Sequence, residues 1–114
     1  PVVSAFDNGE KEVKAWPRWP ETSAVGLAVP RPPGGSQLLN LLRETKGRAI
    51  AVTEQEIKEA VNTVARSEGI LLSPEGGVAF AALKILTEEG WIRRGERVVI
   101  INTASGMLCH RGER

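Results

Sequence analysis

The residues best suited to hold a ligand lie late in the sequence, where the apolar run Val98-Val99-Ile100-Ile101 gives way to Asn102-Thr103-Ala104-Ser105-Gly106. The hydroxyls of Thr103 and Ser105 can each donate and accept a hydrogen bond, which is the chemistry of orienting a polar group. Without a ligand, a strand-end Thr or a turn Ser serves equally to satisfy a neighbouring backbone group. Ser73 stands before Pro74, and its side-chain oxygen is suited to accept from the first-turn amides of a helix. Cys109 beside His110 has the parts of a nucleophile pair, but sequence neighbours rarely point together and no orienting third group is evident. A single cysteine and a single histidine leave no internal disulfide and no soft-ligand set for a structural zinc.

The elements that must position these residues follow a repeating order. Leu38, Leu39, Leu41 and Leu42 lie on one side of a helix expected from Ser36 and stopped by Gly47. Ala49 to Val52 is a short apolar run suited to a buried strand. It leads into Thr53-Glu54-Gln55-Glu56, whose Thr and Glu at this spacing form a capping box. Ile57, Ala60, Val61, Val64 and Ala65 then recur at helical spacing until Gly69. Ile70 to Leu72 reads as a second strand. A helix from Ser73-Pro74 follows, with Ala79, Phe80, Leu83 and Leu86 as its buried face before Gly90. Val98 to Ile101 is the third strand, of the kind covered on both faces. The order β-α-β-α-β predicts an α/β fold with a parallel sheet and right-handed crossovers, in which ligands sit beyond the carboxyl ends of the strands. The segment after Ile101 occupies such a place.

The first third differs. Val2, Val3, Ala5 and Phe6 lead to the turn signal Asn8-Gly9 and are compatible with a short helix. Residues 10–35 read as an irregular loop rich in Pro and Trp, in which Trp16 and Trp19, like Trp91 further on, are expected to anchor loops onto the core. The 114 residues suit one domain with a modest core, and a net charge of +1 provides no general field for a nucleic acid or an anionic membrane. The apolar runs are far below the ~20 residues of a bilayer span, and the first ten residues lack the pattern of a signal peptide, so a cytoplasmic protein is the expectation.

Three segments, in order, resemble threonine synthase and more broadly the fold-type II pyridoxal-phosphate enzymes, which include threonine dehydratase and serine racemase. Pro20-Glu21-Thr22-Ser23-Ala24-Val25-Gly26-Leu27-Ala28-Val29-Pro30 is similar to a family stretch with Thr, Ala, Gly and Pro at this spacing; Val25 stands where dehydratases carry Asp. Leu72-Ser73-Pro74-Glu75-Gly76-Gly77-Val78-Ala79 looks like the Glu-Pro-Ala-Gly-Ala start of a helix, with Ser73 in place of the Glu. Val98 to Gly106 is similar to the strand ending in Thr-Gly-Ser-Gly, with Ala104 at the first Gly. The opening Pro1 to Phe6 is similar to the helix after a central strand of these enzymes. The resemblance covers the whole chain and implies the C-terminal part of such an enzyme, within a three-layer αβα fold with a parallel sheet.

The resemblance also implies roles. Thr103 matches the residue that hydrogen-bonds the pyridine nitrogen of pyridoxal phosphate, and a hydroxyl there tempers the electron sink relative to an Asp. Gly26 matches a glycine that lets backbone approach the ring, and Ser73, Ser105 and Gly106 border it. No residue is assigned to catalysis. The family's Schiff-base lysine lies in a Ser-Lys motif, and none of Lys11, Lys14, Lys46, Lys58 or Lys84 has that context. Pro33-Gly34-Gly35-Ser36 follows Pro32 rather than a strand and so does not match the family's phosphate loop.

The expected function is therefore the C-terminal part of an enzyme that converts O-phosphohomoserine and water to threonine and phosphate, inactive alone. Its partners would be the N-terminal remainder of the enzyme or a second copy in a homo-oligomer, with a small-molecule substrate. A dehydratase-like member of the same group and a non-catalytic α/β interaction module are the alternatives; the latter would pair through exposed sheet edges.

Overall fold

The computed structural model describes the backbone of residues 1–109 and the side chains of residues 1–108. Contacts divide the chain into two compact units, residues 1–21 with 28–51, and residues 22–27 with 52 onward.

The first unit contains α1 (Val2–Asp7) and α2 (Gly35–Glu44), which pack on one another. Leu39 of α2 is fully buried and Ala5 of α1 nearly so, whereas Leu38 and Leu41 are exposed, so the leucine-rich side expected for α2 is only partly covered. The turn after α1 closes through the Glu10 amide on the Ala5 carbonyl, and Arg43 Nη2 donates to the Glu10 carbonyl at 2.5 Å. Gly35 starts α2 where a Cβ would stand 2.8 Å from a Val13 methyl, which explains the glycine by close packing. At the other end Gly47 is not the left-handed stop. Lys46 takes that conformation (φ 54°), and the Gly47 amide donates to the Leu42 carbonyl. The Pro/Trp-rich stretch is irregular except for the 3-10 turn Val25–Leu27, which belongs to the second unit.

The second unit is built on α3 (Glu54–Glu68) and α4 (Pro74–Glu88), with the short α5 (Gly106–Cys109) at its end. The capping box forms: the Glu56 amide donates to Thr53 Oγ1 at 3.3 Å, and the Thr53 amide donates to Glu56 Oε2 at 2.6 Å. Gly69, at φ 68°, closes α3. The stripe Ile57, Ala60, Val64 is buried as the spacing predicts, each such larger side chain contributing about 1.5–3 kcal/mol of apolar burial. The buried positions of α4 differ from expectation. Gly76, Gly77 and Ala81 are covered, while Ala79, Phe80, Leu83 and Leu86 are half-exposed. The reason is contact distance: a Cβ on Gly77 would stand 2.8 Å from Val61 Cγ2 and 3.1 Å from the Ile57 carbonyl oxygen, so the two helices meet through backbone rather than large side chains.

The parallel sheet, and with it the three-layer αβα arrangement, is not found. Among the described residues no strand forms; the single bridge, Leu72 with Ser105, is antiparallel. Residues 49–52 and 98–101 belong to no helix and have no ladder partners among the described residues, and Val99 and Ile101 are 87% and 76% exposed. Apolar, β-branched sequence favours extended backbone, but a strand exists only where a neighbour takes its donors and acceptors. The tryptophans expected to anchor loops are exposed, Trp19 most and Trp16 and Trp91 about half. No helix among the described residues is long and apolar enough to cross a membrane.

Candidate functional site

Within the second unit the three motif segments converge on the N-terminus of α4. Ser73 is its cap: the Gly76 amide donates to Ser73 Oγ at 3.2 Å, and the residue is wholly buried. That hydroxyl has one hydrogen to give and two acceptors beside it, Asn102 Oδ1 at 3.5 Å and the Glu75 carboxylate. Ser73 therefore serves the helix and the segment after the third apolar run at once.

The segment carrying Thr103 is fastened on both sides of that residue. Asn102 packs against Gly76, where any Cβ would overlap the Asn102 side chain. Beyond Thr103, Ser105 bridges Leu72, and the Gly106 amide donates to the Leu71 carbonyl at 3.0 Å. Gly106 is buried, and a Cβ there would overlap the Leu72 carbonyl oxygen. Its glycine is thus explained by close approach of two backbone segments. Thr103 itself is exposed, held between these attachments. Beside them an apolar groove of about 380 Å³ is walled by Val64, Ile70, Leu72, Phe80, Ile100 and Asn102.

The first motif arrives from the 3-10 turn. The Gly26 amide donates to Glu75 Oε1 at 2.9 Å, and the preceding residues are tied to the start of α3. The Thr22 hydroxyl donates to Glu54 Oε1, and Ser23 donates to Glu54 Oε2 from its hydroxyl at 2.7 Å and its amide at 3.1 Å. The Ala24 amide donates back to the Thr22 oxygen, closing a local turn over buried Ala24. Those bonds hold the Glu54 carboxyl below its ordinary range, the Thr22 hydroxyl contributing most. For Glu75, burial pushes the pKa upward, but the amides of Glu75 and Gly26 and the Ser73 hydroxyl outweigh it, and the net shift is downward.

The five residues singled out in the sequence, Gly26, Ser73, Thr103, Ser105 and Gly106, thus lie on segments that meet in one place. Glu54, Glu75 and Asn102, which tie those segments together, were not singled out. The signal for the two carboxylates was available: each is an acid in the first turn of a capped helix, where anions are favoured. His110 lies outside the described residues, and the Cys109–His110 pair with it. Among the described residues no group of acidic, Cys or His side chains could hold a metal ion.

Residues 1–104 match the family described as pyridoxal-phosphate dependent enzyme. The chain belongs to that family. Its relatives include the threonine synthases of Methanocaldococcus jannaschii, 38% identical over 94% of this chain; Methanosarcina acetivorans, 35% over 90%; and Mycobacterium leprae, 33% over 77%. The resemblance read from the three motifs is borne out. The chain spans about a quarter of the length of these relatives, 26%, 25% and 24% respectively. The family is one of fold-type II enzymes that use pyridoxal phosphate.

Proposed function

We propose that the chain is a segment of a threonine synthase, placed towards the C-terminal end by the order of its motifs. The assembled enzyme would convert O-phosphohomoserine and water to threonine and phosphate. The observation that carries this reading is the convergence of all three motif segments at the start of α4, around an exposed Thr103.

Pyridoxal phosphate withdraws electrons from a substrate amine joined to it. The residues present fit one edge of that group. The Thr103 hydroxyl is free of burial and stands on a segment secured at Asn102 and at Ser105–Gly106, so it can donate to an unprotonated ring nitrogen. They do not fit the rest. Lys84 lies ten residues along α4 from Pro74, about 15 Å at 1.5 Å per residue, and faces Glu88 at 3.9 Å. Gly35, in the glycine-rich Pro33–Ser36 stretch, is packed on Val13. The chain's own contribution is therefore to orient the ring, with the lysine and the phosphate site supplied by the remainder of the enzyme. Val25, in place of an Asp, supports a synthase over a dehydratase.

The test is to co-express the chain with the complementary part of a related threonine synthase, supplied either as an upstream or as a downstream piece, and to record cofactor absorbance and phosphate release from O-phosphohomoserine. The upstream piece is expected to restore both. Restoration by the downstream piece would overturn the placement, and cofactor binding without phosphate release would overturn the reaction.

A further inference from the structure

The turn that carries Gly26 is held by carboxylates in addition to the burial of the small Ala24 side chain. Val25 and Leu27 are 73% and 55% exposed, so their side chains give it little hold. Its tertiary hydrogen bonds run instead to the first-turn acids of the two helices, with Thr22 and Ser23 on Glu54 and the Gly26 amide on Glu75, 49 residues away in sequence. The fit at Gly26 is tight, since a Cβ there would stand 3.0 Å from the same Glu75 oxygen that accepts its amide. Glu75 is also joined to the cap, because the Ser73 hydroxyl lies within its reach.

From this geometry we infer that Glu75 is a positioning residue: its carboxylate sets where the Gly26 backbone stands against the start of α4. On the reading of the preceding section, on which this inference rests, it thereby sets how closely that backbone approaches the cofactor ring. Glu54 holds the other end of the same turn and acts with it. A backbone amide given to a charged acceptor is among the stronger hydrogen bonds, and a glutamate is charged through the neutral range.

Two readouts on three proteins test it: wild type, Glu75→Ala and Glu75→Gln. The first is amide hydrogen exchange at Gly26 in the 114-residue chain, with circular dichroism to confirm that α3 and α4 persist. The second is cofactor retention in the assembled enzyme. Glu75→Ala is expected to raise exchange at Gly26 and to weaken retention, each by about tenfold. Glu75→Gln keeps an acceptor oxygen for Gly26 and should recover most of both. Unchanged exchange in Glu75→Ala would overturn the clamp. Raised exchange with unchanged retention would leave Glu75 structural and overturn its positioning role. A wild-type assembly that retains no cofactor would instead sink the functional reading, with the exchange result showing separately whether the clamp exists.

Discussion

The carbonyl oxygen of Leu72 occupies the space that a side chain on Gly106 would need. The residue before α4's cap and the residue after Ser105 are therefore in backbone contact, and this holds the Thr103 segment beside α4. Gly106→Ala must push the two backbones apart, an overpacking cost of about 1–3 kcal/mol. Its thermal midpoint should fall, and exchange of the Gly106 amide, now bonded to the Leu71 carbonyl, should rise. A midpoint equal to wild type would show that the contact is not maintained in solution.

Ser73→Ala tests the buried cap. The hydroxyl accepts from the Gly76 amide and neighbours Asn102, so its loss removes a helix cap and loosens the attachment of Asn102. Urea unfolding should show a loss of about 1 kcal/mol. Because Ser73 is wholly buried, the loss should appear in the chain alone, with no cofactor present.

Glu54 predicts an acid-side loss of stability. Hydrogen bonds from Thr22 and then Ser23 lower its pKa below the ordinary 4.5. A carboxyl with a lowered folded-state pKa binds fewer protons folded than unfolded in the interval between the two values. Its contribution is fully present above the ordinary value and is lost as pH falls through the folded value. Unfolding midpoints measured from pH 6 downward should therefore decline below about pH 4.5 in wild type. Glu54→Gln should decline less steeply, and parallel curves for the two proteins would contradict the assignment.

Much of this was legible in the sequence, for local reasons. Thr53 to Glu56 and Ser73-Pro74 favour helix starts on local grounds, because each satisfies amides within its own first turn. The stripe Ile57, Ala60, Val64 shows in its spacing alone. What was not legible depends on partners distant in sequence. The apolar run 98–101 reads as a strand by composition, but pairing decides, and no ladder partner lies beside it among the described residues. The buried face of α4 was misjudged because nearly every residue from Gly76 to Leu86 is apolar or small; Gly77 against Ile57 selects the face, and that is a tertiary fact. For the site, the Gly26–Glu75 bond across 49 residues left no trace in local pattern.

Thr103→Ala separates fold from function. The side chain is exposed, so the unfolding free energy of the chain should stay within about 0.5 kcal/mol of wild type. In the assembled enzyme proposed above, the same change should lower cofactor retention or turnover by about tenfold, through loss of the proposed hydrogen bond to the ring nitrogen. Thr103→Ser, which keeps a hydroxyl, should recover most of it. Equal activity of Thr103→Ala and wild type would remove Thr103 from the site.

Val99 addresses what the apolar segment 98–101 is for. A side chain 87% exposed contributes little to the unit that carries it, so Val99→Lys should leave the unfolding free energy within about 0.5 kcal/mol. Yet Val98, Val99 and Ile101 are all exposed apolar side chains on one short segment, and exposed apolar surface favours association with another chain. A lysine there opposes pairing by charge and by desolvation cost. Light scattering should therefore show less self-association for Val99→Lys than for wild type, and co-expression with the complementary part of the enzyme should yield less assembled complex. If the substitution instead lowers the unfolding free energy of the chain by more than about 1 kcal/mol, the segment is already part of its own core. The expectation of association through this segment would then be wrong.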